Sequence, residues 1–340
     1  MTRGVDYALM ARALRLAERG LYTTSPNPRV GCVVAHGERV VGEGWHRRAG
    51  EPHAEVFALR EAGDAARGAT AYVTLEPCAH QGRTPPCADA LIAAGVARVV
   101  AAIEDPFPAV AGRGLARLEG AGVAVEHGLC ADAACELNRG FLSRVQRGRP
   151  WVRVKLAMSL DGRTALANGT SKWITGDAAR ADVQRWRARS SAILTGAQTV
   201  LADDPQLTVR LPEGTDFVPP LRVVMDRRGR VPASARVHDA SAPTWIAADA
   251  DPADTLRALA ARGVNEVQVE AGPTLSGALV AAGLVDEILL YVAPTLLGDA
   301  GRPLLFLPHL DDMAGRRDVR VVEQRRVGHD MRLLLRFGNP

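Results

Sequence analysis

The apolar pattern of this chain changes period again and again, and that switching restricts its fold more than any other feature. Residues 5 to 18 set Leu9, Ala13 and Leu16, and beside them Met10, Leu14 and Ala17, at helical spacing. "RVGCVVAHGERVVGEGW" then reads as two short strands around His36-Gly37. "HAEVFALREAG" predicts a helix that stops at Gly63. "ATAYVTLE" is a β-rich run, "CADALIAAG" a helix and "VARVVAAI" a strand, and "AVAGRGLARLEGAG" with "VAVEHG" repeats helix and strand. Alternation of this kind packs helices onto a sheet, as an α/β sandwich.

A chain of 340 residues exceeds the usual domain of ~150, so two domains are expected. The charged segment 137–150 ends in Gly148-Arg149-Pro150, which places the boundary there and gives domains 1–148 and 149–340. Alternation then restarts with "WVRVKLAMSL" as strand, "DAARADVQRWRARS" as helix and "SAILTG" as strand. "LRVVMD", "PTWIAA", "NEVQVE", "VDEILLYVAP" and a closing pair near 318–323 and 331–337 supply the other strands. The fold class is α/β in both halves.

Several function classes are disfavoured. No run of ~18 uncharged apolar residues predicts a membrane span. The start, "MTRGVDYALMARALRLAERG", is charged throughout and does not read as a signal peptide. Five cysteines are too sparse, and odd in number, for a secreted disulfide framework, so the cytoplasm is expected. The net charge of +4 comes without a basic block or aromatic-basic interleaving, so no nucleic-acid partner is expected. Of 42 basic residues only Lys155 and Lys172 are lysines. A lysine kept against such an arginine bias suggests a site that needs a compact ammonium, and Lys155 is the better candidate.

The chemistry concentrates in "GEPHAEVFAL" and "TLEPCAHQGRTPPCADAL". His53-Ala54-Glu55 follows Pro52 at a helix start, and Cys87 follows Pro85-Pro86 at another. The helix-start setting should bias the Cys87 thiol towards thiolate. Cys78 stands at a strand end. Taken singly these are ordinary: H-x-E recurs by chance, and two cysteines commonly bury as apolar residues. In combination, one imidazole and two thiolates give Zn²⁺ three ligands and leave a fourth position for water. Glu55 could then move a proton from that water to a leaving amine, the chemistry of hydrolytic deamination. Cys32, Cys130 and Cys135 read as packing residues.

This pattern resembles the cytidine-deaminase superfamily of zinc deaminases, with one departure. Its cysteine pair is C-x-x-C, whereas eight residues separate Cys78 from Cys87. "PNPRVGCVV", "HAEVFAL" and "TLEPCAHQGRTPPC" together resemble the deaminase half of the bifunctional bacterial riboflavin-pathway deaminase–reductases, in which the long loop is normal. The resemblance implies a cytidine-deaminase-like α/β/α sandwich, zinc ligands His53, Cys78 and Cys87, and Glu55 as proton shuttle. It also implies that Asn27, His46, His80 and Arg83 line the deaminase substrate site, and Lys155 is grouped with them. Asn27 between two prolines also suits a turn, and His46 could cap a strand.

The second half carries no G-x-G-x-x-G after its first strand, so a Rossmann site is not indicated. "KLAMSLDGRTA", "SKWITG", "ILTGAQTVLADDPQLTVR" and "VEAGPTLSGAL" resemble the reductase half of the same family, which is like dihydrofolate reductase in fold and uses NADPH. By that resemblance Ala157, Trp173, Thr199, Asp203 and the turn Gly272-Pro273-Thr274-Leu275-Ser276 contact NADPH. Ser171, Arg187, Leu207, Arg210 and Glu270 contact the substrate, with Arg187 and Arg210 as planar forks for a ribose phosphate. The residues alone leave plainer readings open, a solvated loop at Asp203-Asp204 and a packed Trp173.

The implied reactions deaminate 2,5-diamino-6-ribosylamino-4(3H)-pyrimidinone 5′-phosphate and then reduce its ribosyl group to ribityl, giving 5-amino-6-ribitylamino-uracil 5′-phosphate. A homo-oligomer acting on small molecules is implied as well. The rival reading, a tRNA adenosine deaminase with a fused accessory domain, would need C-x-x-C, a basic face and no second small-molecule site.

Overall fold

A computed structural model describes residues 3–79, 86–107, 110–248 and 251–338. The chain divides into two units, Met1–Gly148 and Arg149–Pro340. In the first, helix α1 (Arg3–Glu18) leads into strands β1 (Gly31–His36) and β2 (Arg39–Trp45), then α2 (Ala54–Ala62), β3 (Thr70–Val73) and α3 (Cys87–Ala93). It continues through β4 (Arg98–Ala101), α4 (Arg113–Gly120), β5 (Ala124–His127) and α5 (Ala131–Arg147).

The sheet order is β2-β1-β3-β4-β5, with β1 antiparallel to its two neighbours and β3, β4 and β5 parallel. Alternation along β1 decides the layers. Cys32 and Val34 face a core that holds Ala54 and Ala58 of α2, Leu91 of α3 and Leu118 of α4. Val33 and Ala35 face the opposite core, with Leu9, Met10 and Ala13 of α1 and Ala134 of α5. Each fully buried Val or Leu contributes roughly 1.5–3 kcal/mol, so both sheet faces must be covered. The result is the expected three-layer sandwich.

α2 lies unusually close to the sheet. A Cβ on Gly42 would stand 2.1 Å from the Ala58 carbonyl oxygen, and one on Gly44 2.5 Å from that of Ala54. Glycine at these two positions lets the helix backbone rest on β2.

The charged run at 137–147 is helical. It forms the second half of α5, which stops at Gly148 in the left-handed conformation (φ 65°). The polarity misleads because Asn138, Arg139 and Ser143 are themselves buried.

The second unit comprises β6 (Trp151–Ser159), β7 (Arg163–Ala165), α6 (Asp177–Arg189), β8 (Ala192–Gly196), α7 (Ala197–Asp203), β9 (Leu221–Met225) and β10 (Thr244–Ala247). After these come α8 (Pro252–Ala261), β11 (Glu266–Val269), α9 (Pro273–Ala281), β12 (Glu287–Ala293), β13 (Arg302–Pro303), β14 (Val319–Val327) and β15 (Asp330–Phe337). Its main sheet runs β10-β9-β8-β11-β6-β12-β15-β14, parallel as far as β12 and antiparallel beyond. Strands β13 and β7 form a separate pair.

Val152, Val154 and Leu156 of β6 share one core with Leu256 and Leu259 of α8 and Leu279 of α9. The alternate residues Arg153, Lys155 and Ala157 therefore point to the other face, where Ala157 packs with Ala179 and Val183 of α6. Buried Arg153 is neutralised there by Glu266 at 2.8 Å and Glu287 at 2.7 Å. No helix among the described residues is long and apolar enough to cross a membrane.

Candidate active sites

In the first unit three elements bring the predicted ligands together. His53 immediately precedes α2, Cys87 opens α3, and Cys78 lies five residues past the end of β3. His53 Nδ1 stands 3.2 Å from Cys87 Sγ and 3.6 Å from Cys78 Sγ, and the three donor atoms lie within 4.8 Å of one another. One imidazole and two thiols at this spacing fit the nitrogen and sulfur ligands of a tetrahedral zinc. Glu55 is buried (3% exposed), and its Oε2 accepts no hydrogen bond among the described residues. A buried carboxylate oxygen left without a partner is costly. Its presence beside three ligand atoms is an independent sign of a reactive centre.

The two thiols differ, in the opposite sense to the sequence expectation. Cys78 is held down to about 4, first by a hydrogen bond from the Cys87 thiol, with burial opposing and His53 and the Cys87 amide assisting. Cys87 is pushed well up by that same bond, by burial and by Glu55. The thiol–thiol bond sets most of this difference, and the helix start adds to it: Cys87 N donates to Cys78 Sγ at 3.4 Å, so the opening N–H of α3 serves the other cysteine's sulfur. His53 is raised, chiefly by its contact with Cys78, and burial pushes Glu55 up.

Asn27 and His46 join behind this centre. Asn27 Nδ2 donates to His46 Nε2 at 3.0 Å, and His46 Nδ1 donates to the Pro52 carbonyl at 3.2 Å. The carbonyl can only accept, which fixes the tautomer. Burial depresses the pKa of His46, favouring its neutral form. Its ring meets that of His53 edge-on, centroids 5.4 Å apart. Nothing in the sequence flagged Asn138 of α5, which exchanges two hydrogen bonds with the Arg29 backbone (2.8 and 2.9 Å) and so pins the loop carrying Asn27. A mid-helix asparagine in a charged run is the one signal that could have found it. His80 and Arg83 lie outside the described residues. Of the three remaining cysteines Cys32 is core, Cys130 is half-buried, and Cys135 is exposed.

Lys155, grouped with the deaminase residues in the sequence reading, stands on β6 in the second unit, half-buried, where burial lowers its pKa, Glu270 raises it and Arg187 lowers it again. Arg187, expected as a phosphate fork, faces protein partners. Its guanidinium is taken up by Glu270, with Nε on Oε1 at 2.7 Å and Nη2 on Oε2 at 2.8 Å, while Nη1 donates to the Thr208 carbonyl at 2.7 Å. Burial works to raise the Glu270 carboxyl, but Arg187 and Lys155 hold it at about 2. Arg210 is exposed, its backbone N–H being fixed by Gln184 Oε1 at 2.9 Å.

The remaining second-site residues gather along loops and strand ends. Lys172 Nζ pairs with Asp203 Oδ1 at 3.3 Å, joining the Ser171–Trp173 segment to the end of α7, which also carries Thr199. Trp173 is 69% exposed under the Arg180 guanidinium, 4.5 Å from the ring centroid, and so is not a core residue. Leu207 is buried with a positive φ of 53°. Ala157 is half-buried. Gly272 precedes α9 without a side-chain cap, and a Cβ there would meet nothing within 4 Å. Pro273, Thr274 and Leu275 follow in the first turn, and buried Ser276 donates its hydroxyl to the Ala271 carbonyl at 3.2 Å. An uncapped helix start with open space before it fits the anionic part of a dinucleotide.

Comparison with known proteins agrees with this division. The profile of the "Cytidine and deoxycytidylate deaminase zinc-binding region" matches residues 4–103, and that of the "RibD C-terminal domain" matches residues 150–333. The chain is 51% identical to the riboflavin biosynthesis protein RibD of Escherichia coli, covering 97% of this chain and 99% of that one. It is 47% identical to RibD of Haemophilus influenzae, covering 96% of each. Among solved structures it resembles Acinetobacter baumannii RibD (TM-score 0.94, 46% identity, 99% of each chain). It also resembles a Thermotoga maritima diaminohydroxyphosphoribosylaminopyrimidine deaminase/5-amino-6-(5-phosphoribosylamino)uracil reductase (TM-score 0.90, 34% identity, 98% of this chain and 99% of that one). A reductase module thus occupies the region that the tRNA-deaminase reading gave to an accessory domain.

Proposed function

The chain belongs to the RibD family of riboflavin-biosynthesis deaminase–reductases, and from that membership we propose which residues carry each reaction. The protein is a zinc-dependent deaminase and an NADPH-dependent reductase in riboflavin biosynthesis. Residues 1–148 would perform the deamination and residues 149–340 the reduction.

The observation that carries the first assignment is the orphaned Glu55 Oε2 beside the His53, Cys78 and Cys87 donors. When bound there, Zn²⁺ would lower the pKa of a water in its fourth position. Glu55 would take the proton of the attacking water and deliver it to the departing amine, so that ammonia leaves. His46, held neutral between Asn27 and Pro52, would orient both the His53 ring and the amide of Asn27 towards the pyrimidine. His80 and Arg83 would complete the substrate contacts.

In the second site NADPH would supply the hydride that turns the ribosyl group to ribityl. The turn 272–276, with Ala157, Trp173, Thr199 and Asp203, would hold the dinucleotide. Arg210 would take the ribose phosphate, and Lys155 with Ser171, Leu207 and the Arg187–Glu270 pair would fix the opened sugar against the nicotinamide. Five free cysteines support a reducing, cytoplasmic setting, and a homo-oligomer follows from the family alone.

The test supplies the diamino pyrimidine phosphate with and without NADPH, following ammonia and nicotinamide absorbance. Ammonia should appear in both mixtures, and NADPH should be oxidised only as the deaminated intermediate forms. No NADPH oxidation with supplied intermediate would refute the assignment of residues 149–340.

A further inference from the structure

Glu76 lies two residues before Cys78 in "TLEPC", buried to 4% exposure, and has no part in the chemistry described so far. Among the described residues its carboxylate bonds to backbone donors. Oε1 accepts from the backbone N–H of Gly114 at 2.8 Å and of Leu115 at 3.4 Å. Oε2 accepts from Gly112 N at 2.9 Å and Asp105 N at 3.1 Å. The main-chain N–H of Glu76 donates to the Ile103 carbonyl at 2.9 Å, which ties the same residue to the exit of β4.

Four amides converging on one side chain require an acceptor with two oxygens. A glutamine of equal size would turn an NH₂ group against two of those N–H groups. The contact is close as well as polar: a Cβ on Gly114 would come within 1.8 Å of the Pro77 carbonyl oxygen. The start of α4 therefore rests on the peptide that joins Glu76 to the ligand residue. From the other side, α3 grips Cys78 directly, Ala88 N donating to its carbonyl at 3.2 Å and Cys87 N to its sulfur at 3.4 Å.

We infer that Glu76 is a positioning residue of the metal centre: its carboxylate locks the Pro77-Cys78 segment onto the start of α4, so that the Cys78 sulfur meets His53 and Cys87 at ligand distance. This rests on the zinc reading of the first site and adds a residue that never touches the metal. Groups that hold a ligand in place typically cost 10–100-fold in metal affinity when replaced.

The experiment measures Zn²⁺ affinity of the full chain by competition with a chromophoric chelator, and the thiolate-to-metal band of the Co²⁺ form. Glu76→Gln should weaken Zn²⁺ binding by about 10–100-fold and shift the Co²⁺ band. Glu76→Asp, which keeps the acceptor pair, should recover part of that loss. Gly114→Ala presses on Pro77 with Glu76 intact and should weaken binding too, so it serves if Glu76→Gln does not fold. A merely structural Glu76 would lower thermal stability equally with and without zinc and leave the affinity within about twofold of wild type. That result in Glu76→Gln, or in Gly114→Ala should Glu76→Gln not fold, overturns the inference. A wild-type chain that binds no zinc would instead defeat the zinc reading itself.

Discussion

Glu55 is buried and Oε2 stays unpaired among the described residues, beside the clustered donor atoms of His53, Cys78 and Cys87. A buried carboxylate oxygen without a partner is costly, and its place beside three donor atoms supplies the explanation it calls for. Glu55→Ala removes the proton carrier and no ligand. The variant should bind zinc as wild type does, lose about 10²–10⁴-fold in ammonia release, and reduce supplied deaminated intermediate normally. Metal content and the two separate assays check this, and an equal fall in both activities would contradict the placement of Glu55. His53-Ala54-Glu55 was legible because its meaning is local, two functional groups at one helix start. Which thiol is held lower was not legible, because the thiol and N–H that bond to Cys78 belong to a residue nine positions away. The same holds for Arg187, whose partner Glu270 is 83 positions distant in the chain.

At the level of elements, the metal centre depends on how closely α2 lies on β2. The alternation in "RVVGEGW" reveals the strand, but its glycines carry no apolar signal, so the close approach they permit is visible only in three dimensions. A Cβ on Gly44 would fall 2.5 Å from Ala54 O, 2.6 Å from Phe57 Cβ and 2.8 Å from Ala58 N. The first and last are backbone atoms, so the helix must shift and carry His53 and Glu55 with it. Gly44→Ala should cost about 1–3 kcal/mol in unfolding free energy, the usual range for overpacking. It should also slow ammonia release by about 10²-fold, as expected for catalytic groups displaced by ~1 Å. Denaturant midpoints and the ammonia assay test this, and wild-type turnover in Gly44→Ala would show that α2 has room to spare. The same blindness hid the second half of α5, where buried Asn138 and Arg139 give an inward face no apolar signal.

Across the whole molecule, the apolar clusters respect the boundary at Gly148. Those built on α1, α2 and β1 draw only on residues of the first unit, and those built on β6, β12 and β9 only on the second. Units of about 150 and about 190 residues are each large enough to close a core unaided. Among the described residues the His53, Cys78 and Cys87 donors and Glu55 belong to the first unit, and the Arg187–Glu270 pair and the turn before α9 to the second. Residues 1–148 produced alone should therefore melt cooperatively, bind one zinc and release ammonia without oxidising NADPH. Residues 149–340 alone should oxidise NADPH only when given the deaminated intermediate, and the two pieces mixed should run the sequence from the diamino substrate. If either piece lacks a cooperative transition, the cores are not self-sufficient. If both fold but the mixture stops at the intermediate, the second reaction needs the covalent link that the chain provides at Gly148-Arg149.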